Sequence, residues 1–164
     1  MNKAIILLFV AVFGLGFISA SLTDTIAKFP LSWDSIARGI APEHNSPGDH
    51  IENNQIHVYK DRIVLDIQNA VWSEFADTNS MDPLLDIGAN GIEIRPKTAN
   101  QISVGDVISY ESEEIGGIVI HRVIEVSEDE EGWFAVVRGD NNPVNDPGKV
   151  RFEQVQGILV GVIY

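Results

Sequence analysis

A hydroxyl, an imidazole and two carboxylates occur along this chain, side-chain types that together can turn an alcohol into a nucleophile. Ser80 stands in "TNSMDP", residues 78–83. Pro83 fixes one backbone dihedral and favours a turn. A serine just ahead of such a turn can present its hydroxyl outward with its own N–H aimed at the same point. Met81 would pack beneath and hold the turn. A motif of four positions also fits an ordinary polar loop. His121 lies in "GGIVIHRVIEV", residues 116–126. Strand alternation sets Val119, His121 and Val123 on one face, with Ile120, Arg122 and Ile124 on the other. A ring among aliphatic neighbours is shielded from water, and a neutral imidazole is what a general base requires. The competing reading is a core histidine satisfied by a backbone carbonyl.

The carboxylates come from "RGDNNPVNDPG", residues 138–148. Either Asp140 or Asp146 could accept a hydrogen bond from the imidazole and fix its tautomer, as the third member of a serine triad does. The same loop also reads as a plain turn whose Asx side chains bond their own backbone. Its oxygen ligands would suit calcium, but the spacing is not that of an EF-hand loop. An oxyanion formed by attack needs donors. The Ser80 N–H is one, and the Thr78 hydroxyl is the candidate second. Lys97 is the rival base; it sits in the polar stretch "RPKTANQ", where its amine stays solvated and charged.

These groups need a scaffold, and the chain offers a β-rich one. From Gln55 onward, apolar residues recur with period two in short β-branched runs: 55–59, 62–67, 92–94, 104–110, 117–126, 133–137 and 155–163. Gly, Pro, Asn and Asp separate them. This pattern predicts a mainly β domain, a curled, partly closed sheet of antiparallel strands. The acidic run "EDEE" at 128–131 reads as a solvated hairpin tip. Trp72 and Phe75 read as core residues.

Ahead of the sheet, residues 4–22 form an uncharged stretch of 19 residues, preceded by Lys3. A bilayer takes about 20 apolar residues as a helix. Cleaved signal peptides have a shorter apolar run and a small-residue cut site, for which residues 19–21 offer a poor match. The reading is a signal-anchor over 1–23, a juxtamembrane helix and linker over 24–54, and the β-rich domain over 55–164. The positive amino-terminal side directs that domain to the extracytoplasmic face of the cell membrane, with lipid contact through the helix. The chain has 164 residues, no cysteine and a net charge of −13. Disulfides, thiolate metal sites and thiol nucleophiles are thereby excluded. Attraction to nucleic acid phosphates is disfavoured. No cofactor and no metal is expected. His44, His50 and His57 do not have the spacing of a closed zinc site.

At these residues the chain resembles the S24/S26 serine peptidase superfamily, and within it type I signal peptidases of the archaeal and endoplasmic-reticulum kind. The carriers are Ser80-Met81-Asp82-Pro83, Gly105-Asp106, His121-Arg122-Val123, and Gly139-Asp140-Asn141-Asn142 followed by Asp146. Together they span residues 74–164. The resemblance implies a signal-peptidase/LexA-like fold and removal of signal peptides from exported preproteins, each bound as an extended strand. It implies Ser80 as nucleophile, His121 as general base, Asp146 as the better candidate to orient the ring, and Asp140 as loop support. Met81 and Pro83 become expected substrate contacts. Two departures stand out. Asn79 replaces the usual glycine before the nucleophile, and asparagine tolerates the left-handed backbone that glycine would supply. Residues 46–78 exceed the short approach of a minimal signal peptidase and add about two strands. Other outcomes of the same pattern are a peptidase for one dedicated partner, a silent peptide-binding envelope domain of this fold, or a non-enzymatic β-domain.

Overall fold

The computed structural model describes residues 44–164. The expected anchor and most of the expected juxtamembrane helix and linker lie outside the described residues. No helix among the described residues is long and apolar enough to cross a membrane.

The period-two runs form strands β1 (Ile56–Val58), β2 (Ile63–Leu65), β4 (Asn90–Ile94), β5 (Val107–Ser112), β6 (Gly117–Asp129), β7 (Gly132–Arg138) and β9 (Val155–Ile163). Two more join them, β3 (Ala70–Glu74) and β8 (Val150–Arg151). β1 and β2 pair as a separate two-stranded hairpin. The other seven make one sheet in the order β3-β4-β9-β5-β6-β7-β8, antiparallel at every pairing. The last strand therefore inserts between β4 and β5, and the carboxyl-terminal residues hold the middle of the sheet.

Two apolar clusters, one on each side of this sheet, follow from strand alternation. Ile108, Tyr110, Val123, Ala135, Val137 and Ile158 form the larger. Met81, Leu85, Val107 and Leu159 form the smaller, with Phe75, Ile120 and Val162 against it. Register places Ile108 beside His121 and Val107 beside Arg122. The basic pair on β6 thus straddles the sheet, and both side chains are buried.

Residues 46–78 hold three strands where about two were expected. β3 escaped the reading because its only partner is β4. An edge strand has one neighbour, and no second layer imposes strict alternation on it. Its Trp72 is 56% exposed, which corrects the reading of that residue as core. Phe75 is half-buried and does pack on the smaller cluster. Residues 44–54, expected within a linker, are tied to the sheet domain. Gly48 N donates to Asp106 Oδ1 (2.8 Å) and the His50 ring bonds the same oxygen (2.9 Å). Asp106 is fully buried and also accepts from Ser103 N (2.8 Å). A buried carboxylate needs such donors to offset its lost hydration.

The 128–131 run closes the β6–β7 hairpin. Its acids are not all free in solvent. Asp129 meets both Lys149 and Arg151, and Arg151 also reaches Glu131 (2.7 Å). Arg151 and Lys149 hold the Asp129 carboxyl well below its usual range. The tip is thereby stapled to β8.

Candidate active site

Ser80 stands at the start of a tight turn that leads away from β3. Asn79 has φ +56°, the left-handed conformation tolerated by asparagine. The turn closes through Leu84 N and Leu85 N, both donating to Met81 O (2.9 and 3.0 Å). Met81 is 2% exposed and anchors the turn in the smaller apolar cluster.

A second loop clasps this turn from the far side. Asn141 N donates to Ser80 O and the Asn141 side-chain amide donates to Asn79 O, each at 2.9 Å. Asp140 N approaches the Met81 sulfur at 3.4 Å. Gly139 is required by this contact, because a Cβ there would sit 2.5 Å from the Ser80 carbonyl oxygen. Asp140 itself faces Arg122. Its two carboxylate oxygens accept from Arg122 Nε and Nη2, both at 2.7 Å, in a bidentate fork. Arg122 Nη1 donates to Gly105 O (2.7 Å). One buried guanidinium therefore joins β6, the Gly105-Asp106 turn and the 139–142 loop.

His121 and Asp146 form the other pair. The Nδ1 atom of His121 bonds Asp146 Oδ2, and Tyr110 Oη donates to that same oxygen at 2.5 Å. Asp146 N donates to Val137 O (2.8 Å), which fixes the loop that carries the carboxylate. An ionised carboxylate only accepts. Nδ1 must then carry the proton, and Nε2 is left with its lone pair for base chemistry.

One cleft of about 700 Å³ is lined by Thr78, Ser80, Met81, His121 and Asn142, among others. Val71, Phe75, Leu85, Ile118 and Ile120 are among its apolar lining residues. Ser80 and His121 thus share a cavity, but no hydrogen bond joins them among the described residues. The Ser80 hydroxyl instead bonds the Thr78 hydroxyl at 3.1 Å. Catalytic hydrogen bonds often tighten only when substrate is bound. For a relay to form, the Ser80 hydroxyl would have to exchange Thr78 for His121.

Asp146 bonds His121 while Asp140 bonds Arg122, so the two carboxylates divide between ring and loop. Met81 lines the cleft from beneath. Pro83, expected as a substrate contact, is exposed and lies outside the cleft lining, because the turn carries it round to the solvent side. Lys97 is exposed and also lies outside the lining. Three polar residues of the site were not singled out from sequence: Tyr110, Glu93 and Ser109. Tyr110 could have been found by pairing β5 with β6 in register, since it follows Ile108, the neighbour of His121, by two positions.

Tyr110 offers a stability test of this cluster. Burial, and then the bond to Asp146, push its phenol far above the usual range. The native state keeps that proton when the unfolded chain, near its ordinary value of about 10, gives it up. Stability from this group is therefore complete below about pH 10 and declines as pH rises further. Tyr110→Phe should lower stability at pH 7 by about 1–3 kcal/mol, the range for a buried hydrogen bond to a charged acceptor. The gap between the two proteins should narrow between pH 10 and pH 11 in urea denaturation. A gap that stays constant across that range would count against the phenol–carboxylate bond.

Comparison of the chain with family models, with curated proteins and with solved structures found no match.

Proposed function

We propose that this chain is a membrane-anchored serine endopeptidase that removes signal peptides from exported preproteins. The observation that carries the reading is the His121–Asp146 pair opening onto the cleft that also holds the Ser80 hydroxyl. His121 Nε2 takes the proton of Ser80 as Oγ attacks the scissile carbonyl. The Ser80 N–H and the Thr78 hydroxyl serve the oxyanion. His121 then returns the proton to the leaving amine, and water hydrolyses the acyl-enzyme by the same relay. A cleft lined by residues 118–120 of β6 suits a substrate laid down as an extended strand. The anchor would hold the domain at the extracytoplasmic face of the membrane, where such substrates emerge.

The bond between Ser80 and Thr78 supports a second reading, a silent domain of the same kind that holds extended peptides without cutting them. One assay separates the two. The full chain in detergent is incubated with a preprotein bearing an export signal, from pH 5 to pH 9. The expected product is a single cut after a small residue, formed fastest at neutral to alkaline pH and lost on acidification, since a protonated imidazole cannot act as base. Binding without any cut across the range would overturn the peptidase reading. A cut that persists undiminished at pH 5 would remove His121 from the role of base.

A further inference from the structure

The cleft contains a carboxylate that the proposed chemistry does not use. Glu93, on β4, is 4% exposed yet lines the same cavity as Ser80 and His121. Its Oε2 accepts a hydrogen bond from Ser109 Oγ at 2.5 Å. Its other oxygen has no hydrogen-bond partner, and no cation pairs with it, among the described residues. That oxygen is not sealed from water and so faces the open cleft, although the residue as a whole is buried without a cation beside it. Such violations of the general pattern of apolar cores concentrate at functional sites.

The surroundings are shaped for this group. Across the sheet on β9, Gly157 leaves room for it, because a Cβ there would stand 2.2 Å from Glu93 Oε2 and 3.1 Å from Ser109 Oγ. Any larger residue would evict the carboxylate. The remaining charged side chains of the cleft, Glu74 and Arg95, are exposed. They oppose one another in sign and are screened by solvent. Glu93 is left as the charged group at the shielded floor.

We propose that Glu93 is a substrate-reading residue, and that the cleft accepts a lysine or arginine side chain of the bound peptide against its free oxygen. This rests on the peptidase reading for its substrate class. An extended peptide alternates its side chains, so one residue near the scissile bond would point to the floor. The net charge of −13 favours encounter with cationic over anionic segments.

The test uses the full chain in detergent and synthetic peptides that differ at one position near the cut. Lysine is compared with norleucine, which has a similar length and no charge. At one position lysine should be preferred by about 10- to 100-fold in kcat/KM, the worth of a charge-assisted hydrogen bond in a desolvated site. In Glu93→Gln that ratio should fall toward one. Equal use of the two peptides by the unaltered protein, or an unchanged ratio in Glu93→Gln, overturns the proposal. The first comparison needs no variant, so a misfolded Glu93→Gln protein does not blunt it. If no peptide is cut, the peptidase reading fails separately. Fluorescence anisotropy of the same peptides then decides: tighter binding of the lysine form sustains the subsite, and equal binding removes it.

Discussion

Ser80→Ala should lower peptide turnover by about 10⁶-fold, with little change expected in peptide binding. The size follows from the way a nucleophile and its base act as one unit, where loss of either removes nearly all the covalent route. For the same reason His121→Ala should cost about as much, and the double variant should be no worse than either single change. That lack of additivity is the informative part. Two residues that merely shape the cleft would have effects that add. Single-turnover cleavage followed by mass spectrometry reads all three proteins, with an anisotropy titration to show that the cleft still holds peptide. A fall below about tenfold for Ser80→Ala would remove the alcohol from the chemistry. The arrangement of Ser80 against Thr78 adds a further comparison. Thr78→Val frees the Ser80 hydroxyl from its present partner but also deletes a candidate oxyanion donor, so a slower enzyme assigns Thr78 to the oxyanion and a faster one to a resting latch.

Much of this site was legible because its polar residues sit where strands and turns demand something else. His121 interrupts an aliphatic strand, and Asn79 stands at a left-handed position that few residues tolerate. Glu93 gave a comparable sign, an acid between Ile92 and Ile94, but one polar residue in a strand equally fits a solvent-facing side. What the sequence cannot carry is pairing. That β9 inserts between β4 and β5 brings Gly157 under Glu93, and this depends on pairings far apart in the chain, such as Ile94 with Ile158 and Ser109 with Gly157. The division of labour between Asp140 and Asp146 was hidden for the same reason. Both lie in one loop, six positions apart, and the fold-back that bonds Asp146 N to Val137 O decides which meets the imidazole and which the guanidinium. β3 was missed because an edge strand satisfies its hydrogen bonds on one side and leaves Trp72 in solvent, so its apolar pattern follows no burial rule.

The Arg122–Asp140 fork is where fold and site meet, and it carries the largest expected effect on stability. Arg122 is 7% exposed and makes three of the strongest polar contacts in the domain, two to Asp140 and one to Gly105 O. Replacing it with Met keeps the length of the side chain, yet leaves the Asp140 carboxylate with only the His44 ring, 3.8 Å away, as a possible cation. Breaking one side of a buried ion pair costs about 3–5 kcal/mol, because the remaining charge keeps its desolvation penalty and loses its partner. A domain of this size has about 5–15 kcal/mol in total, so Arg122→Met should be close to unfolding in mild denaturant. Arg122→Lys restores the charge but not the planar fork, and should fall between the two. Arg122→Met combined with Asp140→Asn should recover part of the loss, since the stranded charge is then gone. Urea denaturation of the four proteins ranks these effects, and Asp140→Asn alone completes the double-mutant cycle. Should Arg122→Met lie within about 1 kcal/mol of the unaltered protein, the fork is a surface-like pair of the weak kind. The position of the 139–142 loop over Ser80 would then have to rest on the two Asn141 bonds and the approach of Asp140 N to the Met81 sulfur.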